Sequence, residues 1–514
     1  MSNRLQSVPR RPVLWLCAIV SILLVVFAYL LALAMAVGLG FAAVAFVASG
    51  NGTLILLSIG AVTCCLIILW SITPRPDRFT PPGPELTAAA QPRLFAEISA
   101  TAAEFREPMP SSVYLMMAPN AWVAQRGGML GFGSRRVMAL GYPLLAVLTV
   151  SEFRAVIAHE FAHYYGGDTG LGPWTNKARE AIMLSLQRLS SDSGLLHTLS
   201  RWAVIAILRL LVIGTLALYW KLFLRLTLLV SRQAEYRADE LASAIAGAQP
   251  LLASLRKLTE AGFGWTPFWT TEAAPSLESG FRPPLADGFT RFLAAPEIAR
   301  QIQPQVKKEL VQETPAALAT HPTFHQRSQR ALSHRYPAVA QDDAPALSLF
   351  DDLPGVELAM LRTLFPDPRT DTLKPVAWDA VGTTVYVPNW RESVTQYRDL
   401  LAPLCAADVP DALANIGSIA AQLRDPPGML LTREQRAGRA AALLWMALAL
   451  ALLDAGWELH AQPGDFYLAR GGDKLSPPDL VRRIRQGTLS AEGYRDLVRH
   501  LGVGELRLGM NTLA

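Results

Sequence analysis

The first part of the chain contains two long apolar runs separated by a short polar turn. The run 13–48 has no charged residue and is longer than the roughly 20 residues that cross a bilayer as a helix. We therefore expect it to tilt, to project beyond the lipid or to break near its internal glycines. Residues 49–52 read Ser-Gly-Asn-Gly, a turn signal, and 53–72 is long enough to return. The pattern predicts two transmembrane helices, 13–48 and 53–72.

A cleaved signal peptide is the alternative reading of the first run. It is less favoured because the apolar run is too long and a second run follows at once. Positive residues set the expected orientation, since they concentrate on the cytoplasmic side of membrane helices. They flank the two runs on their outer sides, at Arg4, Arg10, Arg11, Arg75 and Arg78. Both ends of the predicted anchor therefore face the cytoplasm.

Charge and cysteine usage narrow the function classes. The net charge of +5 is spread along the chain, and no Lys/Arg run is interleaved with aromatic residues, so no nucleic-acid partner is predicted. Of the four cysteines, Cys17, Cys64 and Cys65 lie in the apolar runs and Cys405 is isolated in sequence. This usage suits a reducing compartment and excludes a zinc site built from cysteines.

The strongest chemical motif lies on a predicted helix over 151–165. Ser151 is the predicted N-cap, apolar residues follow at helical spacing, and a Gly-Gly pair ends the helix. His159 and His163 are four residues apart and therefore project from one face, about 6 Å apart along the axis. Two imidazoles placed in this way can bind one tetrahedral Zn²⁺, and Glu160 beside them can take a proton from a water molecule.

A second motif supplies the third ligand that such a site needs. Residues 231–239 enter a predicted helix on which Glu235 and Asp239 are four apart and share a face. Glu235 is the expected metal ligand, and Asp239 is expected to orient a ligand histidine through its free ring nitrogen. Elsewhere such a pair is an ordinary solvated acidic face, but beside H-E-x-x-H we favour the metal site.

Further stretches accompany the two motifs in a fixed order. They are Asn120-Ala121-Trp122, Gly127-Gly128, the strand 137–140, Gly166-Gly167-Asp168, Ser231-Arg232, and Thr320-His321-Pro322 with Arg327. Together with H-E-x-x-H and Glu235 this order resembles the family of membrane zinc metallopeptidases that includes the HtpX heat-shock protease and the CAAX prenyl endopeptidases. The resemblance covers about 85–335. It implies a gluzincin-type fold with one Zn²⁺ per chain.

The resemblance also implies roles for residues outside the ligand set. Asn120, Ala121 and Trp122 resemble the edge strand along which gluzincins bind an extended substrate, with an ordinary strand end as the alternative. His321 is expected to stabilise the oxyanion or, equally, to cap a helix. Asp168 is expected to brace the zinc helix or to be a simple turn residue.

The apolar segment 202–230 poses a topological constraint, because His159 before it and Glu235 after it must lie on one side of the membrane. One crossing would separate them, and two crossings need about 40 residues and a turn. Lys221, Arg225 and Arg232 fall on one helical face. We therefore predict a membrane-associated helix along the surface or a shallow re-entrant hairpin. A buried helix of the peptidase core is the alternative.

The predicted organisation has four parts. A membrane anchor covers 1–72, a Pro-rich linker 73–92 and a peptidase domain 93–335, in which 251–261 is helical and 262–287 forms a long loop over the cleft. A separate α+β module of unknown role covers 345–514, with a core helix over 440–453 and a β-hairpin over 456–470. The predicted fold class is mainly α (α+β), with a gluzincin-like domain that includes a small sheet.

The predicted function is that of a membrane-anchored zinc endopeptidase that hydrolyses membrane or membrane-proximal proteins. The expected partners are a protein or peptide substrate and the lipid bilayer. The expected location is an inner membrane of the bacterial type, with the catalytic domain on the cytoplasmic side. Protein quality control is favoured over prenyl-protein processing because the multi-span chamber of the prenyl proteases is missing. The alternative is a membrane-tethered scaffold or holdase that retains the zinc fold.

Overall fold

The computed structural model describes residues 5, 12–73, 76–128, 133–165, 182–183, 186–188, 190, 203–315, 319, 321–333, 336–425 and 431–509. These residues are mainly helical with small β-sheets, so the predicted fold class is confirmed. Contacts divide them into two compact units, Met1–Ala261 with Gln305–Thr363, and Gly262–Pro304 with Leu364–Ala514. The linear boundaries 93–335 and 345–514 stay a prediction.

The helices of the first unit carry the membrane segments and the site. They are α1 (Pro12–Ala48), α2 (Gly52–Ile72), α3 (Pro92–Glu104), α4 (Tyr142–Val147), α5 (Val150–Ala162), α6 (Ala203–Ala246), α7 (Ala248–Phe268, which ends in the second unit), and, further along the chain, α10 (Pro296–Val311, which begins in the second unit), α11 (Phe324–Ser333) and α12 (Leu353–Leu364). The predicted helix over 251–261 is confirmed as part of α7.

The second unit is built from shorter helices around one long one. They are α8 (Ala274–Glu278), α9 (Leu285–Ala294), α13 (Trp378–Val381), α14 (Val387–Gln396), α15 (Arg398–Leu401), α16 (Val409–Ala414), α17 (Ile416–Gln422), α18 (Arg433–Asp454), α19 (Pro477–Arg485) and α20 (Ala491–His500). Two π-helical turns, Trp269–Ala273 and Gly382–Tyr386, continue α7 and α13.

The two predicted membrane helices are present as α1 and α2. Helix α1 runs without a break through its internal glycines. Asn51 caps α2, because its side-chain oxygen accepts hydrogen bonds from the backbone N–H groups of Thr53 and Leu54 at 3.0 and 3.4 Å. Both helices are long and apolar enough to cross a membrane.

Small side chains bring α1, α2 and α6 together. Ala32 and Ala36 of α1, Ala61 of α2 and Val212 and Leu216 of α6 belong to one buried cluster. Small residues let helix backbones approach closely, which is the main source of packing energy between helices in lipid. Large apolar side chains point outward instead, as lipid-facing residues do; examples are Leu23, Phe27, Leu30, Phe41, Leu66, Leu210 and Leu218.

Helix α6 corrects the prediction for 202–230. It is one uninterrupted helix over Ala203–Ala246, so the re-entrant hairpin is wrong, and its first half packs against α1 and α2 rather than inside the peptidase core. The Tyr219 hydroxyl donates to the Leu24 carbonyl of α1 at 2.6 Å. Ile182, which precedes α6 in the chain, packs in the same cluster as Tyr219 and Phe223 of α6. The composition of 202–230 does not show this packing partner.

A four-stranded sheet lies beside α5. Its strands are β1 (Glu85–Leu86), β2 (Ser112–Met116), β3 (Ala121–Arg126) and β4 (Arg135–Gly141), in the order β1-β2-β4-β3. The predicted strand over 137–140 is confirmed as β4. Among the described residues, strand β3 pairs only with β4, in antiparallel orientation, and is therefore an edge strand. Within the predicted Pro-rich linker, β1 pairs with β2, so this part of the linker belongs to the sheet.

The loop predicted over 262–287 is wrong. This stretch contains the end of α7, a π-helical turn, α8 and the two-residue strand β5 (Phe281–Arg282), which pairs with β6 (Lys374–Pro375). Prolines are typical of loops, but they are also common at the first positions of a helix. Pro275 occupies such a position at the start of α8. Its aromatic residues are core residues, since Phe268 packs against Phe289, Phe292 and Trp378.

The core of the second unit forms around α18. This helix is apolar and long enough to span a membrane, but Leu444, Leu448 and Leu452 are buried in a protein core, as predicted for 440–453. The predicted hairpin is confirmed as β7 (Glu458–Gln462) and β8 (Asp465–Arg470), and β9 (Asp473–Leu475) extends it.

Packing in the membrane bundle can be tested with neighbouring residues of α2. Ala61 is fully buried against α1 and α6, whereas Val62 is 44% exposed on the outward face. We expect Ala61→Leu to overpack the interface and to destabilise the protein by about 1–3 kcal/mol. Thermal unfolding in detergent measures this, with Val62→Leu as the control. Equal melting temperatures for the two variants would contradict the packing described here.

Candidate metal centre and active site

Helix α5 carries two of the metal-binding residues and is fixed at its start by a capping box. Thr149 is the N-cap, since its hydroxyl accepts from the Glu152 N–H at 3.3 Å while the Glu152 carboxylate accepts from the Thr149 N–H at 2.8 Å. The predicted N-cap, Ser151, is wrong. Its hydroxyl accepts from the Asp342 N–H at 2.6 Å instead, a contact across the fold that the local sequence does not show.

The three predicted ligands lie together where α5 meets α6. The Nε2 atoms of His159 and His163 are 3.3 Å apart. The Glu235 carboxylate lies 3.4 Å from His159 Nε2 through Oε2 and 3.6 Å from His163 Nε2 through Oε1. Among the residues that the structure describes, these three form the one group of histidine, cysteine and acidic side chains with metal-binding geometry.

These separations fit a tetrahedral zinc ion. Ligand bonds of about 2.0–2.1 Å in a tetrahedron place neighbouring ligand atoms about 3.3–3.4 Å apart. The two imidazole nitrogens are 3.3 Å apart and Glu235 Oε2 lies 3.4 Å from His159 Nε2, which matches this spacing, and the other Glu235 oxygen lies 3.6 Å from His163 Nε2. Three protein ligands rather than four leave one position for solvent or substrate, which is typical of catalytic rather than structural zinc.

A second layer of charged groups orients the ligands. The Nδ1 atom of His159 lies 3.1 Å from the Asp239 carboxylate, which is the contact predicted from the spacing of Glu235 and Asp239. Arg327 of α11 donates two hydrogen bonds to Asp239, at 2.8 and 2.6 Å, and all three side chains are buried. The arginine compensates the buried carboxylate, which in turn lies within ion-pair distance of the His159 ring.

Burial and neighbouring charges shift the two histidines in opposite directions. Burial lowers the pKa of His159, but the carboxylates of Asp239 and Glu235 outweigh it and raise this pKa to about 10. Burial, together with the charge of His159, lowers the pKa of His163 to about 4. The His159 ring therefore favours the protonated imidazolium form, and because a ligand imidazole is neutral, metal binding at this ring is coupled to proton release.

Glu160 lies between the ligand cluster and strand β3. Its Oε2 accepts a hydrogen bond from the Val123 N–H at 3.3 Å. Burial raises the pKa of Glu160 to about 7, an effect that the charge of His159 partly offsets and that of Glu235 reinforces. A carboxylate with a pKa near neutrality is suited to general acid–base work, since it accepts and returns a proton at similar cost.

The remaining predicted residues fall in different places. Asn120 precedes β3, and Ala121 and Trp122 begin this edge strand beside α5. His321 lies at the ligand cluster, with Nδ1 3.0 Å from Glu235 Oε2 and a mostly exposed side chain. It does not cap α11; the Thr323 hydroxyl does, accepting from the Gln326 N–H at 3.2 Å. Asp168 lies outside the described residues.

Sequence reasoning missed two side chains at the site. Arg327 was noted only as part of the family resemblance, yet it pairs with Asp239. Tyr164 was passed over, yet its hydroxyl donates to the Val123 carbonyl at 2.7 Å. The sequence signal for Tyr164 is its position directly after His163, which places its side chain just beyond the end of α5.

The fold has helices that can cross a membrane, and the site places two histidines and a glutamate around one possible metal position, with Glu160 beside them. This combination is typical of a membrane zinc metallopeptidase. Residues 88–335 match the family model described as Peptidase family M48. This segment is therefore similar to a family of zinc-dependent metallopeptidases, which confirms the predicted resemblance and indicates a metallopeptidase, a hydrolase. The searches of the curated proteins and of the solved structures gave no match.

The role of Asp239 can be tested through metal affinity. Asp239→Asn removes the charge that orients His159 and raises its basicity, so we expect zinc affinity to fall about 10- to 100-fold. A competitive zinc titration of the purified protein measures the change. The matched control is Glu240→Gln, because Glu240 is equally buried but lies near Arg237 and Arg330 instead of the ligands. Similar affinities in the two variants would remove Asp239 from the site.

Proposed function

We propose that this protein is a membrane-embedded zinc endopeptidase in which His159, His163 and Glu235 hold one Zn²⁺ per chain and Glu160 is the general base. The observation that carries the proposal is the convergence of His159, His163 and Glu235, whose ligand atoms lie 3.3 to 3.6 Å apart, with the Glu160 carboxylate buried directly beside them. The match to Peptidase family M48 supports the same conclusion.

The chemistry divides between the ion and the side chains. A zinc ion bound by the three ligands supplies Lewis-acid chemistry, polarising the scissile carbonyl and lowering the pKa of water. Glu160 removes a proton from the attacking water and later returns it to the leaving amine, so that hydrolysis needs no covalent intermediate. His321, next to Glu235 and open to solvent, donates to the oxyanion that forms at the scissile carbonyl.

Strand β3 is the proposed binding surface for substrate. It is an edge strand, contacts α5 and directs the backbone N–H and C=O of Val123 toward side chains at the end of the ligand helix. An extended peptide can add to such an edge through main-chain hydrogen bonds, which gives affinity without strong dependence on sequence. In this proposal Asn120, Ala121 and Trp122 contact the substrate at the beginning of β3.

The position of Glu235 on α6 favours substrates near the membrane. Outward-facing apolar side chains continue on α6 as far as Leu229. Glu235 lies six positions after Leu229, which corresponds to about 9 Å along a helix. We infer that membrane and membrane-proximal proteins are the substrates, with quality control of such proteins as the cellular role. The arginines that flank α1 and α2 favour the cytoplasmic side of a bacterial-type inner membrane.

Replacing the general base tests the proposal. We expect Glu160→Gln to lower casein cleavage by detergent-solubilised protein about 10²- to 10⁴-fold, because the amide cannot accept the proton, while the zinc content stays unchanged. A chelator should abolish cleavage by the unmodified protein. Glu104→Gln, at the exposed end of α3, is the control and should retain full activity. Full cellular function of Glu160→Gln would instead support the scaffold or holdase.

The pH dependence of cleavage reports on the same carboxylate. Glu160 must be deprotonated to act as a base, so kcat/KM should fall about tenfold per pH unit below its pKa. Burial raises this pKa from 4.5 to about 7 without metal, and the charge of a bound cation lowers it again. We expect the acidic limb of kcat/KM between these two values. A limb at the ordinary glutamate pKa or below would contradict a buried base.

A further inference from the structure

Resting on the proposed function, we propose that Tyr164 and Glu160 together close the substrate-binding edge of β3. An extended substrate must displace both side chains before it can pair with Val123. Tyr164 is therefore a positioning residue that sets the affinity for substrate, and substrate binding itself frees the general base.

The evidence begins with the two backbone groups of Val123. Its N–H donates to the Glu160 carboxylate at 3.3 Å, and its C=O accepts from the Tyr164 hydroxyl at 2.7 Å. Both partners come from the end of α5 that carries His159 and His163. One residue of the edge strand thus has both of its main-chain groups bound by side chains next to the ligand cluster.

The register of the sheet shows which way these groups point. In an antiparallel pair, residues alternate between exchanging hydrogen bonds with the partner strand and directing their N–H and C=O away from it. Val123 lies opposite Met138 of β4, but its N–H and C=O are hydrogen-bonded to Glu160 and Tyr164. Both groups therefore face the outer edge of the sheet, away from β4. This is the side on which a substrate strand would add, and Ala121 and Gln125 share the same parity.

Tyr164 is held in place independently of β3. The guanidinium of Arg136 lies 4.4 Å from the centre of the Tyr164 ring, and Arg136 is itself paired with Glu107 at 2.8 Å. The Arg136–Glu107 pair is largely buried, so the cation–π contact is partly shielded from water. The hydroxyl is therefore positioned at the Val123 carbonyl before any substrate arrives.

Substrate binding exchanges equivalent hydrogen bonds. A substrate carbonyl takes the Val123 N–H from Glu160, and a substrate N–H takes the Val123 carbonyl from Tyr164. The exchange leaves Val123 satisfied and releases the Glu160 carboxylate toward the ligand cluster. It also means that the Tyr164 hydroxyl competes with every substrate, whatever its sequence, because the competition concerns main-chain groups only.

The test is Tyr164→Phe, which removes the competing hydroxyl and keeps the ring on Arg136. We expect KM for fluorescein-labelled casein to fall by roughly threefold to tenfold, the range of one neutral hydrogen bond, with little change in kcat. Tyr165→Phe is the matched control, since the ring of this neighbouring tyrosine packs on Phe105. A residue that merely stabilised the fold would raise KM or lower the melting temperature when replaced.

A binding measurement separates this proposal from the proposed function. With chelator present, anisotropy of the same labelled casein gives a Kd without cleavage, and Tyr164→Phe should tighten it by the same factor. Tyr164→Leu, which also lacks the hydroxyl, should tighten it as well. An unchanged or weaker Kd in both variants overturns the closed edge. Equal cleavage by unmodified protein and Glu160→Gln would overturn the proposed base while leaving the binding result valid.

Discussion

The structure depends on one convergence: two imidazoles from one turn of α5 and a carboxylate from α6 meet within 3.3 to 3.6 Å of one another. Buried charged groups are costly unless they are paired, and here the pairing is continuous. Arg327 binds Asp239, Asp239 contacts His159, and His159 contacts Glu235. Because α5, α6 and α11 each contribute to this chain of contacts, the pairing of these buried charges depends on all three helices.

The parts of this arrangement that follow from local spacing were predictable from the sequence. His159 and His163 are one turn apart, as are Glu235 and Asp239, so each pair had to share a helical face. The course of α6 and the fold of 262–287 were not predictable in the same way. An apolar segment such as 202–230 has the same composition whether it crosses a membrane or lies in a protein core, and prolines such as those of 262–287 occur both in loops and at helix starts. Tertiary packing, which the local sequence does not show, decides between these structures.

The edge of β3 illustrates a second kind of information that a sequence does not carry. The strand itself and its position beside the zinc helix were expected, but main-chain groups have no sequence signature. Only the three-dimensional register shows that Val123 directs its N–H and C=O at Glu160 and Tyr164. The proposed general base and the proposed substrate-binding strand are therefore connected by a hydrogen bond, although the two motifs are separated along the chain and neither predicts the other.

Helix α6 connects the metal centre to the membrane bundle mechanically. It is continuous from Val212 and Leu216, which pack on α1 and α2, to Glu235 at the ligand cluster. Sliding a helix by one residue displaces every side chain by about 1.5 Å, whereas zinc–ligand distances vary by only about 0.2 Å. The small residues that fix α6 in the bundle thereby also fix the height of Glu235. An apolar interface with no catalytic group of its own is in this way part of what positions the third ligand.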